Sequence, residues 1–351
     1  MSKVDIRSCD RKQLQDYMES LGEKAFRAKQ LYGWLHQKMA KDYKEMGNIP
    51  KSLKEKLVNT GELTTLKIKT MQESKIDGTR KYLFELPDGH LIESVWMKYK
   101  HGNSVCISSQ VGCKMNCSFC ASAIGGWVRN LTAGEMLEQI YRISRDTQKR
   151  VSNVVVMGTG EPLDNYDNLV KFIHMLSDKN GLNISQRSIT VSTCGIVPMI
   201  NKLAQEKLQI TLALSLHAAD QKRRCELMPI ANTYEIHEVV DACRNYFEQT
   251  GRRVSFEYSL IQGKNDSKED AQLLARLLKG MNCHVNLIPI NPVRERSYVQ
   301  PDMSHVQEFK NNLEKYMINV TIRRELGRDI DGACGQLRKG YLDSVKETPH
   351  I

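Results

Sequence analysis

Cys106-Ile-Ser-Ser-Gln-Val-Gly-Cys113-Lys-Met-Asn-Cys117-Ser-Phe-Cys120 places three cysteines at C-x3-C-x2-C spacing just after a strand-like run, Ser104 to Ser108. In so short a loop the three sulfurs can turn toward one point, and soft thiolates at one point select an iron–sulfur cluster or zinc. Structural zinc and ordinary four-iron clusters take four protein ligands, whereas this loop offers three, Cys113, Cys117 and Cys120, with no fourth close behind. The open position suits a small chelating ligand. Two plainer readings stand beside it: three buried structural thiols, which a polar, glycine-containing loop accommodates poorly, and zinc with a remote fourth ligand.

Downstream of the loop the chain alternates between strand and helix. Strands are expected at Ser104 to Ser108, Asn153 to Met157, Arg187 to Ser192, Gln209 to Ser215, Val254 to Leu260 and Val285 to Ile290. Helices are expected near Thr132 to Thr147, Asn165 to Leu176, Ile196 to Gln205, Ile236 to Thr250 and Lys268 to Leu278. Such alternation argues for a parallel sheet with its function at the carboxyl ends of the strands. There the sequence gathers Gly158-Thr-Gly-Glu-Pro162, Ser192-Thr-Cys-Gly195, Ser215-Leu216-His217 and Asn291-Pro292. Each alone reads equally well as a turn, a cap or a satisfied polar residue. Together they share one mouth, where glycines let the backbone approach a ligand and Glu161 can accept from an ammonium or ribose hydroxyls. A further strand, Asn319 to Arg323, and a Gly-rich tail are expected to close the chain.

Upstream, Asp10 to about Glu62 reads as helical, from Leu14, Tyr17, Met18 and Leu21, then Phe26, Ala28, Leu31, Trp34 and Leu35, then Met46 through Leu57. Residues 1–62 therefore form a small helical domain, whose Lys24, Arg27, Lys29, Lys38, Lys41, Lys44, Lys51, Lys54 and Lys56 face either RNA or simply solvent. Residues 63–103 read as a small antiparallel β extension with a hairpin turn at Pro87-Asp-Gly. Residues 104–325 form the core, and 326–351 a tail.

The chain has 351 residues, a net charge of +10 and ten cysteines. The length allows two or three domains, and the charge favours a polyanionic partner, with nucleic acid foremost. No apolar run approaches a membrane span and Met-Ser-Lys-Val-Asp lacks a signal-peptide core, so a cytoplasmic protein without membrane attachment is expected. In such a chain the cysteines point to metal or redox chemistry rather than to a disulfide framework.

C-x3-C-x2-C after a strand resembles the radical S-adenosylmethionine superfamily, and the six units match its partial (β/α)6 barrel. The Arg323-Arg-Glu-Leu-Gly-Arg-Asp-Ile-Asp-Gly-Ala-Cys334-Gly-Gln-Leu-Arg338 segment narrows this: from about Glu93 to Arg338 the chain resembles the RlmN/Cfr family of rRNA methyltransferases. Gly160-Glu-Pro-Leu-Asp164 and Leu287-Ile-Pro-Ile-Asn-Pro292 are similar to the RlmN branch, and Thr159 departs from the methionine of many relatives.

The resemblance implies an enzyme with one [4Fe-4S] cluster on Cys113, Cys117 and Cys120, and two S-adenosylmethionine molecules used per turnover. It implies S-adenosylmethionine contacts at Gly160, Glu161, Ser192, Ser215, Leu216, His217 and Asn291. Cys334 would carry a methyl group and form a transient protein–RNA adduct; Cys106 would resolve it, leaving a Cys106–Cys334 disulfide, and Glu93 matches the proton acceptor. The implied product is adenine methylated at carbon 2 in the peptidyl-transferase centre of 23S rRNA and just 3′ of the anticodon in tRNAs. A flavodoxin- or ferredoxin-type reductant and a monomer are expected. Phosphate contacts are expected among Lys222-Arg223-Arg224, Arg252-Arg253, Arg294, Arg296 and Arg323-Arg324. Cfr-type methylation of carbon 8, a different radical enzyme, and a non-enzymatic zinc-containing RNA-binding protein are the alternatives.

Overall fold

The computed structural model describes residues 3–100, 102–291, 296–330 and 335–347. Cys334, Pro292 and Arg294 lie outside the described residues.

One ten-stranded sheet runs through the molecule. Its parallel part begins at Gly102–Ile107 and continues through Asn153–Val156, Ile189–Thr193, Thr211–Ser215, Val254–Leu260 and Cys283–Pro289 to Val320–Ile322. Each strand lies beside the next in chain order, the result of repeated strand–helix–strand units that cross over in the same sense. The curved α/β sheet is the expected partial barrel, with Val320–Ile322 as a seventh parallel strand. The helices that cover it start on side-chain caps: Thr132 with Glu135 before Ala133–Thr147, and Ser267 with Asp270 before Lys268–Leu277.

The antiparallel strands Lys67–Glu73, Arg80–Glu85 and Leu91–Tyr99 do not form a separate sheet. Leu91–Tyr99 pairs antiparallel with the first barrel strand, Val95 opposite Cys106, so the extension widens the main sheet at one edge. A period-two pattern shows which residues share a face but not where a sheet ends.

Near the N-terminus are helices Arg11–Ser20, Phe26–Tyr32 and Lys51–Thr60; a wider π-helical turn, Gly33–Gln37, and a tighter 3-10 turn, Tyr43–Glu45, lie between the last two, and Val4–Asp5 pairs with Gly61–Glu62 to close the unit. Met46 to Pro50 is not helical as expected; Pro50 is the N-cap, which sets the helix start at Lys51. The unit shares one continuous hydrophobic core with the barrel. Arg7, fully buried, is central to the junction: it donates to the carbonyls of Thr64, Leu35 and Ala40 and pairs with buried Glu138 at 3.2 Å.

The expected Gly-rich tail is a helix, Gln336–Glu347. Gly340 lowers its intrinsic propensity by about 1 kcal/mol, but Leu337 packs on Leu83 and Leu91, with Tyr341 and Leu342 against the same cluster. Tertiary packing outweighs the propensity. Among the described residues, no helix is long and apolar enough to cross a membrane.

Candidate active site

A cavity of about 550 Å³ opens at the carboxyl ends of the parallel strands. Cys113, Cys117 and Cys120 line it, as do Cys106, Gly160, Glu161, Ser192, Ser215, His217 and Asn291. Residues that the sequence scatters over nearly two hundred positions are thus brought to one chamber. Leu216 is the exception among the expected contacts: its side chain is fully buried in the main core.

The cysteine loop is bracketed by a two-stranded ribbon, Gln110–Gly112 against Trp127–Asn130. The Cys113 amide donates to the Gly126 carbonyl at 3.2 Å. Gly112 sits at φ +76°, and a Cβ there would lie 1.9 Å from the Gly126 carbonyl oxygen. The far side of the loop is tied down through Ser118, whose amide and hydroxyl both donate to the Leu227 carbonyl, at 2.9 and 3.2 Å.

Burial, and then the neighbouring cysteines, push the thiols of Cys113 and Cys117 up, Cys113 to about 12. Such thiols stay protonated until a metal centre supplies the positive charge that draws the protons off. Among the described residues, no three His, Cys, Asp or Glu side chains are gathered closely enough to hold a single metal ion. Three soft sulfur donors around one chamber are the ligand type that an iron–sulfur cluster takes.

Arg224 belongs to this site although the sequence pattern placed it in a phosphate-facing run. It is fully buried, donating to the carbonyls of Cys194 at 2.8 Å and Tyr234 at 3.3 Å. Its charge offsets a small part of the rise at the Cys117 thiol, which places a positive charge near the cysteine loop. The inward turn has a helical cause: on Gln221–Leu227, Arg224 and Leu227 are the buried positions, three apart. Its neighbour Arg223 pairs with Asp220 and Asp270, and Arg252 donates toward the Ile210 carbonyl and the Thr211 hydroxyl. Of the expected phosphate contacts, Arg323 and Arg324 are exposed and line the cavity.

Glu161 is buried, and desolvation raises its pKa. Its two oxygens accept the amides of Leu163 at 3.0 Å and Cys194 at 2.8 Å, so backbone amides take up bonding capacity expected to serve a ligand. Gly160, at φ +108°, is held to glycine by Gln110, whose Cβ would stand 2.6 Å from an added Cβ. Ser192 and Ser215 face each other, hydroxyl to hydroxyl, at 3.3 Å. His217 accepts the Ser259 amide on Nδ1 at 3.0 Å and stands edge-on to Phe119, centroids 4.8 Å apart. Cys194 packs with Leu227 and Met228 while also reaching the cavity wall.

Glu257 was not anticipated. It lies at the middle of Val254–Leu260, buried on the cavity wall, with its pKa raised by desolvation and one oxygen accepting from Asn286 at 2.9 Å. Its signal, a lone glutamate in an apolar strand, was present but carried no motif.

The C-terminal segment forms another wall of the cavity through Gly327, Ile330 and Gln336. Asp329 accepts from the Ser74 hydroxyl at 2.6 Å and the Lys75 amide at 2.8 Å, and Asp77 accepts the Gly327 amide at 2.9 Å. Gln336, two residues after Cys334, thus lines the same cavity as Cys106. Glu93 does not line it. Its carboxylate is buried and accepts the amides of Gly335 and Arg338, each at 2.6 Å.

Residues 4–63 match the family described as ribosomal RNA large subunit methyltransferase N-terminal domain, and residues 107–275 match the radical SAM superfamily. A protein of Lachnospira eligens named probable dual-specificity RNA methyltransferase RlmN is 60% identical, covering 98% of this chain and 99% of its own. The protein of that name from Lachnoclostridium phytofermentans is 58% identical over 98% of this chain and 96% of its own. The crystal structure of a radical SAM methyltransferase from Sphaerobacter thermophilus superposes with a TM-score of 0.91 at 41% identity, covering 95% of this chain and 98% of that one.

Proposed function

Because the chain belongs to the RlmN family of radical S-adenosylmethionine RNA methyltransferases, we propose that it methylates carbon 2 of adenine, in the peptidyl-transferase centre of 23S rRNA and just 3′ of the anticodon in tRNAs. The observation that carries the reading is the single cavity shared by Cys113, Cys117 and Cys120, by Cys106, and by Gln336 two residues from Cys334.

A four-iron cluster held by Cys113, Cys117 and Cys120, together with S-adenosylmethionine, supplies the methyl group and the one-electron chemistry. That chemistry is needed because carbon 2 of adenine is electron-poor, and a methyl sulfonium is itself an electrophile. The chain's own residues do the rest. Cys334 carries the methyl group as a thioether; one hydrogen atom is removed from that methyl group by the one-electron chemistry, and its carbon then bonds to RNA. Cys106 takes the proton from the methylated ring carbon, gives it up again, and as a thiolate attacks the Cys334 sulfur; the sulfur–carbon bond breaks with its electron pair going to the carbon, which gains a proton to complete the methyl group, so methylated RNA leaves and a Cys106–Cys334 disulfide remains for an external thiol or reductase to open. Ser192, Ser215, His217 and Asn291 line the pocket proposed for S-adenosylmethionine, and Arg224 balances the thiolate charge.

The adenine must be unstacked for its ring edge to reach residues inside the cavity, which favours single-stranded or remodelled RNA. Exposed Arg323 and Arg324 at the rim are suited to its phosphates. A monomer in the cytoplasm, reduced by a flavodoxin- or ferredoxin-type protein, completes the proposal. Incubation with rRNA and tRNA followed by nucleoside mass spectrometry tests it. Methyl at carbon 2 supports the proposal, methyl at carbon 8 moves the enzyme to the Cfr type, and unmodified adenine refutes both.

A further inference from the structure

Glu93 is buried in the strand Leu91–Tyr99, directly opposite Leu83 of Arg80–Glu85. Cross-strand partners share a face, and so do residues two apart on one strand, so Lys81, Leu83, Leu91 and Glu93 all project to the same side of the sheet. That side receives the C-terminal helix. Leu83 and Leu91 seat Leu337, while Lys81, also fully buried, pairs with the Oε2 of Glu93 at 3.3 Å. The same Oε2 accepts the Gly335 amide and Oε1 accepts the Arg338 amide.

Gly335 immediately precedes Gln336–Glu347 and Arg338 lies in its first turn, where N–H groups have no partner within the helix and a negative charge is favoured. Ordinarily a residue just ahead of the helix supplies the cap. Here the cap comes from a strand 242 residues earlier in the chain. A second contact fixes the same point from the other side. Gly335 is at φ +84°, and a Cβ on it would stand 2.6 Å from the Ser122 nitrogen and 2.7 Å from the Ala121 carbonyl carbon, immediately after Cys120. The residue that follows Cys334 is thus clamped between a buried carboxylate and the end of the cysteine loop.

We propose that Glu93 is a positioning residue, whose carboxylate caps the C-terminal helix and so holds Gly335, the residue next to Cys334 in sequence, against the end of the cysteine loop. The consequence for catalysis rests on the methyl-carrier reading above; the capping itself does not. The oxygens of this carboxylate are taken up by two backbone amides and the Lys81 ammonium, a geometry that holds the chain and sets this role apart from that of a catalytic base.

The test uses the full chain and the variants Glu93→Gln, Glu93→Ala and Gly335→Ala. Hydrogen exchange is followed in the peptide spanning Gly335 to Arg338, with the strand Gly102–Ile107 as the internal standard for an intact fold. Methylation of Cys334 after anaerobic incubation with S-adenosylmethionine, without RNA, is read by mass spectrometry. Glu93→Ala should speed exchange at the helix start by about tenfold, the usual scale for losing a cap, and lower Cys334 methylation with it. Glu93→Gln keeps one acceptor oxygen and should fall between. Gly335→Ala leaves the carboxylate in place but forces the backbone off Ser122, and should lower methylation too.

Wild-type exchange in Glu93→Gln and Glu93→Ala would overturn the proposal. So would full Cys334 methylation in both variants with RNA methylation alone lost, since that pattern belongs to a base acting later. If Cys334 stays unmethylated even in the wild type, the methyl-carrier reading fails, and exchange at Gly335 and Arg338 still decides the capping.

Discussion

The Glu161 carboxylate accepts the backbone amide of Cys194 at 2.8 Å. With its other oxygen on the Leu163 amide, at 3.0 Å, this side chain joins the loop after Asn153–Val156 to the loop after Ile189–Thr193, across the floor of the cavity. A cap residue of its own loop is therefore also a brace between two loops that shape the proposed cofactor pocket.

Replacing Glu161 with alanine leaves two buried amides without partners, at about 1–3 kcal/mol each. Glu161→Gln keeps one acceptor and should lose about half as much. Thermal unfolding should rank wild type above Gln above Ala, and equilibrium binding of S-adenosylmethionine should weaken in that order. Equal binding by all three would remove Glu161 from the pocket.

Gly112→Ala should open the ribbon that brackets the cysteine loop. The positive φ alone costs roughly 1–3 kcal/mol, and the 1.9 Å approach to the Gly126 oxygen cannot be relieved by turning a side chain. Iron and sulfide content after anaerobic reconstitution should drop while the far-UV signature of the barrel is kept. A variant that retains wild-type iron would show that the ribbon is not what shapes the loop.

Burial, and next the charge of Arg224, push the His217 imidazole down to about 3. The ring should therefore stay neutral, with no NMR titration between about pH 5 and 8. The linkage follows from the sign of the shift. The unfolded chain binds the proton near 6.5 and the folded chain does not, so this contribution to stability is complete above 6.5 and is lost as pH falls toward about 3. A ring that titrates near 6.5 would place His217 in contact with water.

The cysteine loop, the strand ends and most of the barrel were legible because each is local: a spacing, a period or a turn. What escaped reading depends on which way a residue faces. Arg224 sits in a run of three basic residues and looks solvated, but on its helix it turns inward with Leu227. Gln336–Glu347 was hidden by Gly340 and the glycines of the segment before it, because its stability comes from Leu83 and Leu91, remote in sequence. Glu93 was singled out by resemblance alone, with a proton-accepting role; its bonds to Gly335 and Arg338 connect parts of the chain that no local pattern relates.

The most direct test of the central claim is peptide mass spectrometry of anaerobically prepared protein, with iron and sulfide measured on the same sample. The account predicts a methyl group on Cys334 together with about four irons and as many sulfides per chain. An unmodified Cys334 in a protein that holds zinc would contradict it and leave an RNA-binding metalloprotein in its place.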